Sequence, residues 1–357
     1  MKIKRSSKTT LKFATQKKLD TLNEIMDEYS RLVNIFIPDF WTKNLELGDL
    51  IKEITNLPES WLSARMRQCA AREALSMVNG AKEKAISLDE DPIMPVHSGK
   101  KMTLSSQVVT IEEGRNSFDI WLIISSVGNG IKLSIPLKRH RHINWFQEWK
   151  RSTSVVIHRK YVQFSFEKET GSKKTEGDIV GIDVGINHLL AVSNGNLFGS
   201  EVKSLINIIK RKKQGSNKYK KAKKTLSYYL HKTVKDCLPW SELRLVVVER
   251  LKDLKKGKKP NRGKEFRKTL SNWNYRELLD IIQMRSEENR VSFRSINPHK
   301  TSQTCPVPAC SHTERDNRSG EKFKCLRCGY SNQADLVGSL NILDRFISGQ
   351  YGAAFQT

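Results

Sequence analysis

No stretch of the 357 residues holds the about 18 consecutive apolar positions that a membrane-spanning helix needs. The start, MKIKRSSKTTLKF, is basic but lacks an apolar core of signal-peptide length, so a cytoplasmic protein is expected, with no membrane partner. Cysteine is scarce, six in all, which in a reducing cytosol argues against a disulfide-built domain and makes closely spaced pairs candidate metal ligands. Acids are too few to balance the bases: 38 Asp plus Glu against 63 Lys plus Arg leaves a net charge of +25, with a mean hydropathy of −0.54. Such an excess points to nucleic acid, because neutralising phosphates releases counterions and supplies affinity without sequence readout. A ribosome-associated protein or a merely basic surface would carry the same charge, and charge alone does not identify an enzyme. The length allows two or three domains, each with its own core.

What acid there is falls at informative places. In residues 178–191, DIVGIDVGINHLLA, a short apolar strand carries Asp183 and a second strand follows after Leu189 and Leu190. A lone carboxylate in an apolar strand costs several kcal/mol unless a cation or hydrogen bonds compensate it. The run LVVVE at 245–249 ends in Glu249, and ADLVGSLNIL at 334–343 puts Asp335 at the head of an apolar helical segment. Three acids from distant parts of the chain can meet at one end of a sheet and hold divalent cations through oxygen, as two-metal phosphodiester cleavage requires. Each taken singly also reads as an ordinary strand-end or helix-cap carboxylate.

Taken in order, residues 3–14 supply a first strand. A helix is expected from Gln16 to about Phe40, ended by Pro38, and another from about Ser60 to Ser87. Arg65, Arg67 and Arg72 on the second suit a sugar-phosphate backbone as well as they suit water. Pro92, Pro95 and Gly99 mark a boundary, after which 105–113, 118–126, 130–138 and 153–169 read as strands of a small antiparallel sheet or barrel. Past the polar linker 170–177 and the Asp183 strand, 203–235 reads as a basic helical hairpin; its segment 209–224 has nine basic residues and no acid. Residues 251–268 hold nine more. Lys212, Lys213, Lys220, Lys221, Lys255 and Lys256 are candidate phosphate contacts beside the presumed metal site, with Arg65 and Arg72 candidates farther off. A helix from Trp273 to about Glu288, capped by Ser271 or Asn272, and a strand at 291–296 complete the run.

Cys305, Cys310, Cys325 and Cys328 follow the spacing C-x4-C-x14-C-x2-C. Two close pairs of thiolates suit tetrahedral zinc, with Pro306 and Gly329 serving the turns. A closed shell of four sulfurs is structural, so catalysis must lie elsewhere. His312 is an alternative ligand, and Cys69 and Cys237, which stand alone, read as buried small apolar residues.

These residues together resemble the transposon-encoded TnpB (OrfB) proteins and the type V CRISPR effectors. GIDVGINHLLAVSNG at 181–195 is similar to their first RuvC motif, VVVERL at 246–251 to the second and ADLVGSLNIL to the third. NPHKTSQTCP at 297–306 leads into the four-cysteine ribbon in the family's order, and the likeness spans about 178–347. Val337, Gly338 and Ser339 depart from the family's Asn-Ala-Ala, Asn341 is kept, and the first cysteine pair has four intervening residues instead of two.

The resemblance implies an α/β RNase H-like (RuvC) nuclease domain over 176–297 and 331–357 with a zinc ribbon, 298–330, inserted in it. It also implies a β-barrel wedge domain over 1–15 and 100–170 and a helical recognition domain over 16–99. Asp183, Glu249 and Asp335 would be the catalytic acids, holding Mg²⁺ or Mn²⁺, with Zn²⁺ on the four cysteines. The expected activity is RNA-guided cleavage of DNA by a monomer or homodimer. A transposon-end or CRISPR-derived guide RNA would be bound, with double- and single-stranded target DNA. A compact type V CRISPR effector, a nuclease-weak or nuclease-dead RNA-guided DNA-binding regulator, and a strand-transfer transposase are the alternatives.

Overall fold

The computed structural model describes residues 1–349 other than 44, 89, 115–116, 252–268 and 270. The chain divides into one unit over Lys2–Glu169 and a second that begins at Thr170.

In the first unit, β1 (Lys2–Thr10) enters a sheet before α1 (Gln16–Thr42), the short α2 (Lys52–Thr55) and α3 (Ala64–Leu88). The strands β2 (Lys101–Leu104), β3 (Val109–Glu113), β4 (Ile120–Ile124) and β5 (Leu133–Leu137), the single turn α4 (Arg141–Asn144), and β6 (Lys150–His158) and β7 (Tyr161–Glu169) follow. They form a four-stranded sheet in the order β1-β7-β6-β2 and a three-stranded sheet β3-β4-β5. No ladder among the described residues joins the two.

The heptad-like series Leu22, Ile25, Met26, Tyr29, Leu32, Val33, Phe36, Ile37 and Phe40 is buried along α1, which packs against α3 and β2. Pro38 does not end this helix: the chain stays helical to Thr42. A proline inside a helix costs about 3 kcal/mol, whereas burial of Phe36, Ile37 and Phe40 around it contributes about 1.5–3 kcal/mol per side chain. The run 153–169 is likewise two strands, because the chain reverses at Arg159 and Lys160 so that Ile157 pairs with Val162.

Between α1, α3 and β2 a carboxylate, Glu73, is buried with hydrogen bonds to one oxygen and an ion pair to the other. Tyr29 Oη and the Thr103 N–H each donate to its Oε2 at 2.9 Å, and Lys101 Nζ lies 3.1 Å from Oε1. Burial alone would push its pKa up, but His97, Lys101 and Tyr29 override that and hold it at about 2.

The second unit is built on β8 (Asp178–Asp183), β9 (Leu190–Val192), β10 (Leu197–Phe198), β11 (Leu243–Glu249) and β12 (Ser292–Ile296). They pair in the order β10-β9-β8-β11-β12. Strands β8, β11 and β12 run parallel, while β9 and β10 are antiparallel. Parallel strands need both faces covered, and β11 is buried throughout apart from Arg244.

One face packs on α5 (Val202–Lys210), α6 (Asn217–Cys237) and α7 (Tyr275–Glu288) through Val246, Val248, Leu230 and Ile282. The other, with Leu245, Val247 and Ile296, meets Ile342 of α8 (Ala334–Ile347). Helix α8 comes so close to β8 that a Cβ on Gly181 would stand 2.3 Å from the Ser339 carbonyl oxygen. Helix α7 begins at Tyr275, with Asn274 at its N-cap position. The cap expected at Ser271 or Asn272 is therefore displaced, and Asn274 Nδ2 donates to Glu277 Oε2 at 2.6 Å. This α/β sheet flanked by helices agrees with the architecture that the resemblance implies. Strands β13 (Arg318–Ser319), β14 (Lys322–Lys324) and β15 (Ser331–Gln333) make a small separate sheet that feeds directly into α8.

Candidate functional site: an acid cluster beside a four-thiolate ribbon

The parallel register sets the first two acids side by side. Ile182 pairs with Val248, so Asp183 and Glu249 are the next residues on adjacent strands, which run about 4.8 Å apart. Asp335 comes from the first turn of α8. Gln333 caps that helix, its Oε1 accepting from the N–H groups of Asp335 (2.7 Å) and Leu336 (2.9 Å).

Glycines allow the close approach. A Cβ on Gly338 would lie 2.7 Å from Asp183 Oδ2, and one on Gly185 would lie 3.5 Å from Asp335 Oδ2. Gly338 is one turn beyond Asp335 on the same helix face, so the carboxyl of Asp183 sits against the helix surface that carries Asp335.

Few positive charges answer these acids. Arg318 Nη2 donates to Asp335 Oδ1 at 3.1 Å, and His188 Nδ1 lies 4.0 Å from Asp335 Oδ2. The Thr301 hydroxyl donates to Glu249 Oε1. Asp183 has the least relief. Burial, then the charges of Glu249 and Asp335, push its pKa well above the carboxylate range against the pull of Arg318 and the Val184 N–H. Burial raises Glu249 as well, opposed by Thr301, Arg345 and Arg318. Three carboxylates brought to one sheet end are chemically suited to a divalent cation, since a doubly positive ion satisfies carboxylates that one arginine cannot. The oxygens are neighbours without being drawn as tightly as the sulfurs described next.

The Sγ atoms of Cys305, Cys310, Cys325 and Cys328 all lie within 4.8 Å of one another. Two pairs, Cys305 with Cys328 and Cys310 with Cys325, stand 3.6 Å apart. Tetrahedral zinc with bonds of about 2.3 Å requires sulfur separations of about 3.8 Å, so the set fits that ion. The knuckle after Cys325 closes through the Gly329 N–H on the Cys325 carbonyl at 3.0 Å, with Gly329 at φ +77° where a side chain would be strained. His312 is turned to Glu314, 3.0 Å away, so it is not a fifth candidate. Cys69 is buried and Cys237 half-buried.

Arg318, Thr301 and His188 were not legible as site residues. Arg318 sits in the ribbon, and only the return of β15 into α8 brings it to Asp335. Asn341 did carry a signal, as a polar residue within an apolar helix. Its Nδ2 donates to the carbonyls of Thr301 and Thr304, each at 2.7 Å, and so fastens the segment that presents Thr301 to Glu249.

Among the described residues, the sequence-derived basic residues make no hydrogen bond or ion pair with these acids. Lys212, Lys213, Lys220 and Lys221 are exposed, the first pair between α5 and α6 and the second pair on α6. Arg72 is exposed on α3, while Arg65 Nη1 is engaged by Ser126 Oγ (3.3 Å) and the Gln107 carbonyl (3.4 Å). Lys255 and Lys256 lie outside the described residues.

An α/β sheet with acids at its parallel strand ends and a ribbon feeding the third acid is the arrangement that the resemblance to RuvC-containing proteins implies. The model of the Cas12f1-like TNB domain matches residues 275–342. A TnpB-like protein of Methanocaldococcus jannaschii is 22% identical over 232 residues, 56% of this chain and 82% of the relative. The CRISPR-associated endodeoxyribonuclease Cas12f1 of Sulfoacidibacillus thermotolerans is 38% identical over 74 residues, 20% of this chain and 17% of the relative.

Two solved structures share the fold. That of a Cas12f1–sgRNA–target DNA complex superposes with a TM-score of 0.57 at 14% identity, covering 92% of this chain and 83% of that one. That of the mini-RNA-guided endonuclease CRISPR-Cas_phi3 gives 0.58 at 12%, covering 95% and 92%. By these comparisons the chain is similar to TnpB proteins and type V CRISPR effectors.

Proposed function

We propose that the chain is an RNA-guided DNA endonuclease of the TnpB and type V effector kind, with Asp183, Glu249 and Asp335 as its catalytic acids. The observation that carries this reading is the meeting of three carboxylates at one sheet end with too little positive charge to satisfy them. These acids would hold Mg²⁺ or Mn²⁺, which when bound supplies an acidified water and offsets charge on the leaving 3′ oxygen.

The chain's own residues do the rest. Thr301 fixes the orientation of Glu249, and Asn341 fixes Thr301 in turn. Arg318 neutralises part of the acid charge and keeps the ribbon against Asp335. Zn²⁺ on the four cysteines would hold that ribbon closed. The exposed lysines of 212–221 supply sequence-independent grip on phosphates, while a guide RNA supplies sequence by base pairing. The first unit would divide into the wedge and the recognition helices. A monomer or a homodimer is compatible with this reading.

Identity to Cas12f1 over 74 residues favours a compact CRISPR effector as the second reading. One experiment addresses both. RNA that copurifies with the chain is sequenced, reprogrammed and used in a DNA cleavage assay, with Asp183→Ala as control. A structured RNA ending in a variable segment of about 20 nucleotides, and cleavage that the variant lacks, are expected. A transposon-end sequence in that RNA selects TnpB and a repeat-derived one the effector. Guided binding without cleavage by the unaltered chain would overturn the nuclease assignment.

A further inference from the structure

The first unit contains a cavity of about 500 Å³ that the nuclease reading does not use. It opens between the two sheets, walled by residues of β3 and β4 on one side and of β6 and β7 on the other. The seam is held apart by an irregularity in β6. Arg151 pairs with Phe166 and Val155 with Phe164, so four steps on one strand match two on the other. Bulges of this kind redirect side chains and are common beside binding sites.

Two kinds of group line the cavity. Phe146 stacks on Phe166 at 5.0 Å between ring centroids and meets Trp149 edge-on at 5.3 Å, giving a flat aromatic wall. Opposite in character are Arg139 and Arg151. Arg139 is satisfied by Glu113 through two hydrogen bonds of 2.7 and 2.9 Å. Arg151 is not. No carboxylate among the described residues lies within salt-bridge distance of it. Burial lowers its pKa, and the distant attraction of Glu113 is countered by Arg139. A half-buried guanidinium without a counter-ion is costly unless an anion joins it.

The volume falls in the range of about 300–1,000 Å³ that small-molecule sites occupy. An apolar ligand would leave Arg151 unanswered, and a bare inorganic anion would leave the rings and most of the space unused. We propose that this cavity receives one unpaired nucleotide, its base against Phe146 and Trp149 and its phosphate on Arg151. The nucleotide is carried in a nucleic-acid strand or free in solution; the chemistry is shared. None of the acid cluster's residues lines the cavity, so its failure would leave the nuclease reading untouched.

The full chain, freed of copurifying nucleic acid by high salt, is photolabelled with 8-azido-AMP in one arm and a short single-stranded RNA bearing 4-thiouridine in the other. Adducts are mapped by mass spectrometry, where the tryptic peptide HINWFQEWK at 142–150 carries the aromatic wall. Labelling of that peptide by the strand alone assigns a strand nucleotide, and labelling by 8-azido-AMP assigns a free one. Arg151→Gln should cut the labelling at least about tenfold, the size of one lost base-stacking or phosphate contact. Thr110→Glu, an exposed lining residue on β3, should do the same by repulsion without touching the core. Absence of label from 142–150 in both arms, or label that both variants leave unchanged, would overturn the proposal.

Discussion

Glu73 in the first unit and Asp183 in the second are both acids in poorly solvated surroundings, and their environments drive them in opposite directions. Glu73 is met by a tyrosine hydroxyl, a backbone N–H and a lysine, and its pKa falls to about 2. Asp183 is desolvated by burial and met by two more acids, and its pKa rises. A buried carboxylate whose partners complete it is an anchor for packing, whereas one surrounded by its own kind is poised for a cation. That difference sets the acid cluster apart as the proposed site without reference to any relative.

That contrast can be broken at several points. Asp183→Ala should reduce DNA cleavage at least about 10³-fold, the scale seen when a group of a catalytic unit is lost, while thermal unfolding stays cooperative. Glu73→Ala should leave cleavage per folded molecule unchanged. Cys328→Ser should remove the bound zinc measured by atomic absorption and loosen Arg318 from Asp335. Cleavage by that variant should fall by about 10–100-fold, as when supporting groups of a metal site are lost.

Glu73→Gln should destabilise the chain by about 2–3 kcal/mol, read from denaturant midpoints, because it leaves Lys101 and a buried donor without their acceptor. The sign with pH follows from the depressed value. The contribution of Glu73 is fully present above the unfolded pKa near 4.5 and is lost as pH falls from there toward about 2.

Asp183→Asn should do the reverse and stabilise the metal-free chain by about 1 kcal/mol, since it removes like-charge repulsion. With a folded pKa above the unfolded one, Asp183 favours the folded state increasingly as pH falls through its raised value. The smallest effect belongs to the surface. Lys212→Gln with Lys213→Gln should lower the salt dependence of nucleic-acid binding by about 0.7–0.9 in log–log slope for each lysine that touches a phosphate.

Much of this arrangement was legible because it is local. The run LVVVE announces a strand covered on both faces, and the cysteine spacing alone defines a four-sulfur set. Pairing of Asp183 with Glu249 follows once β8 and β11 are adjacent and parallel. What was hidden depends on contacts between distant segments. Arg318 reaches Asp335 only through the ribbon's return into α8, and Thr301 reaches Glu249 only because Asn341 grips its carbonyl. Pro38 misled because its own effect is local while the burial around it is tertiary. The run 153–169 misled because neither glycine nor asparagine marks the turn at Arg159 and Lys160, although the buried apolar series changes phase there, from Val155 and Ile157 to Val162, Phe164 and Phe166.

The central claim is that the acid cluster, and not Glu73, is built for a divalent cation. Thermal unfolding of the full chain with and without Mn²⁺ tests it directly. The unaltered chain and Glu73→Gln should both gain stability from the ion, by RT ln(1 + [L]/Kd), and Asp183→Asn should gain little or none. Equal stabilisation of Asp183→Asn by Mn²⁺ would contradict the account.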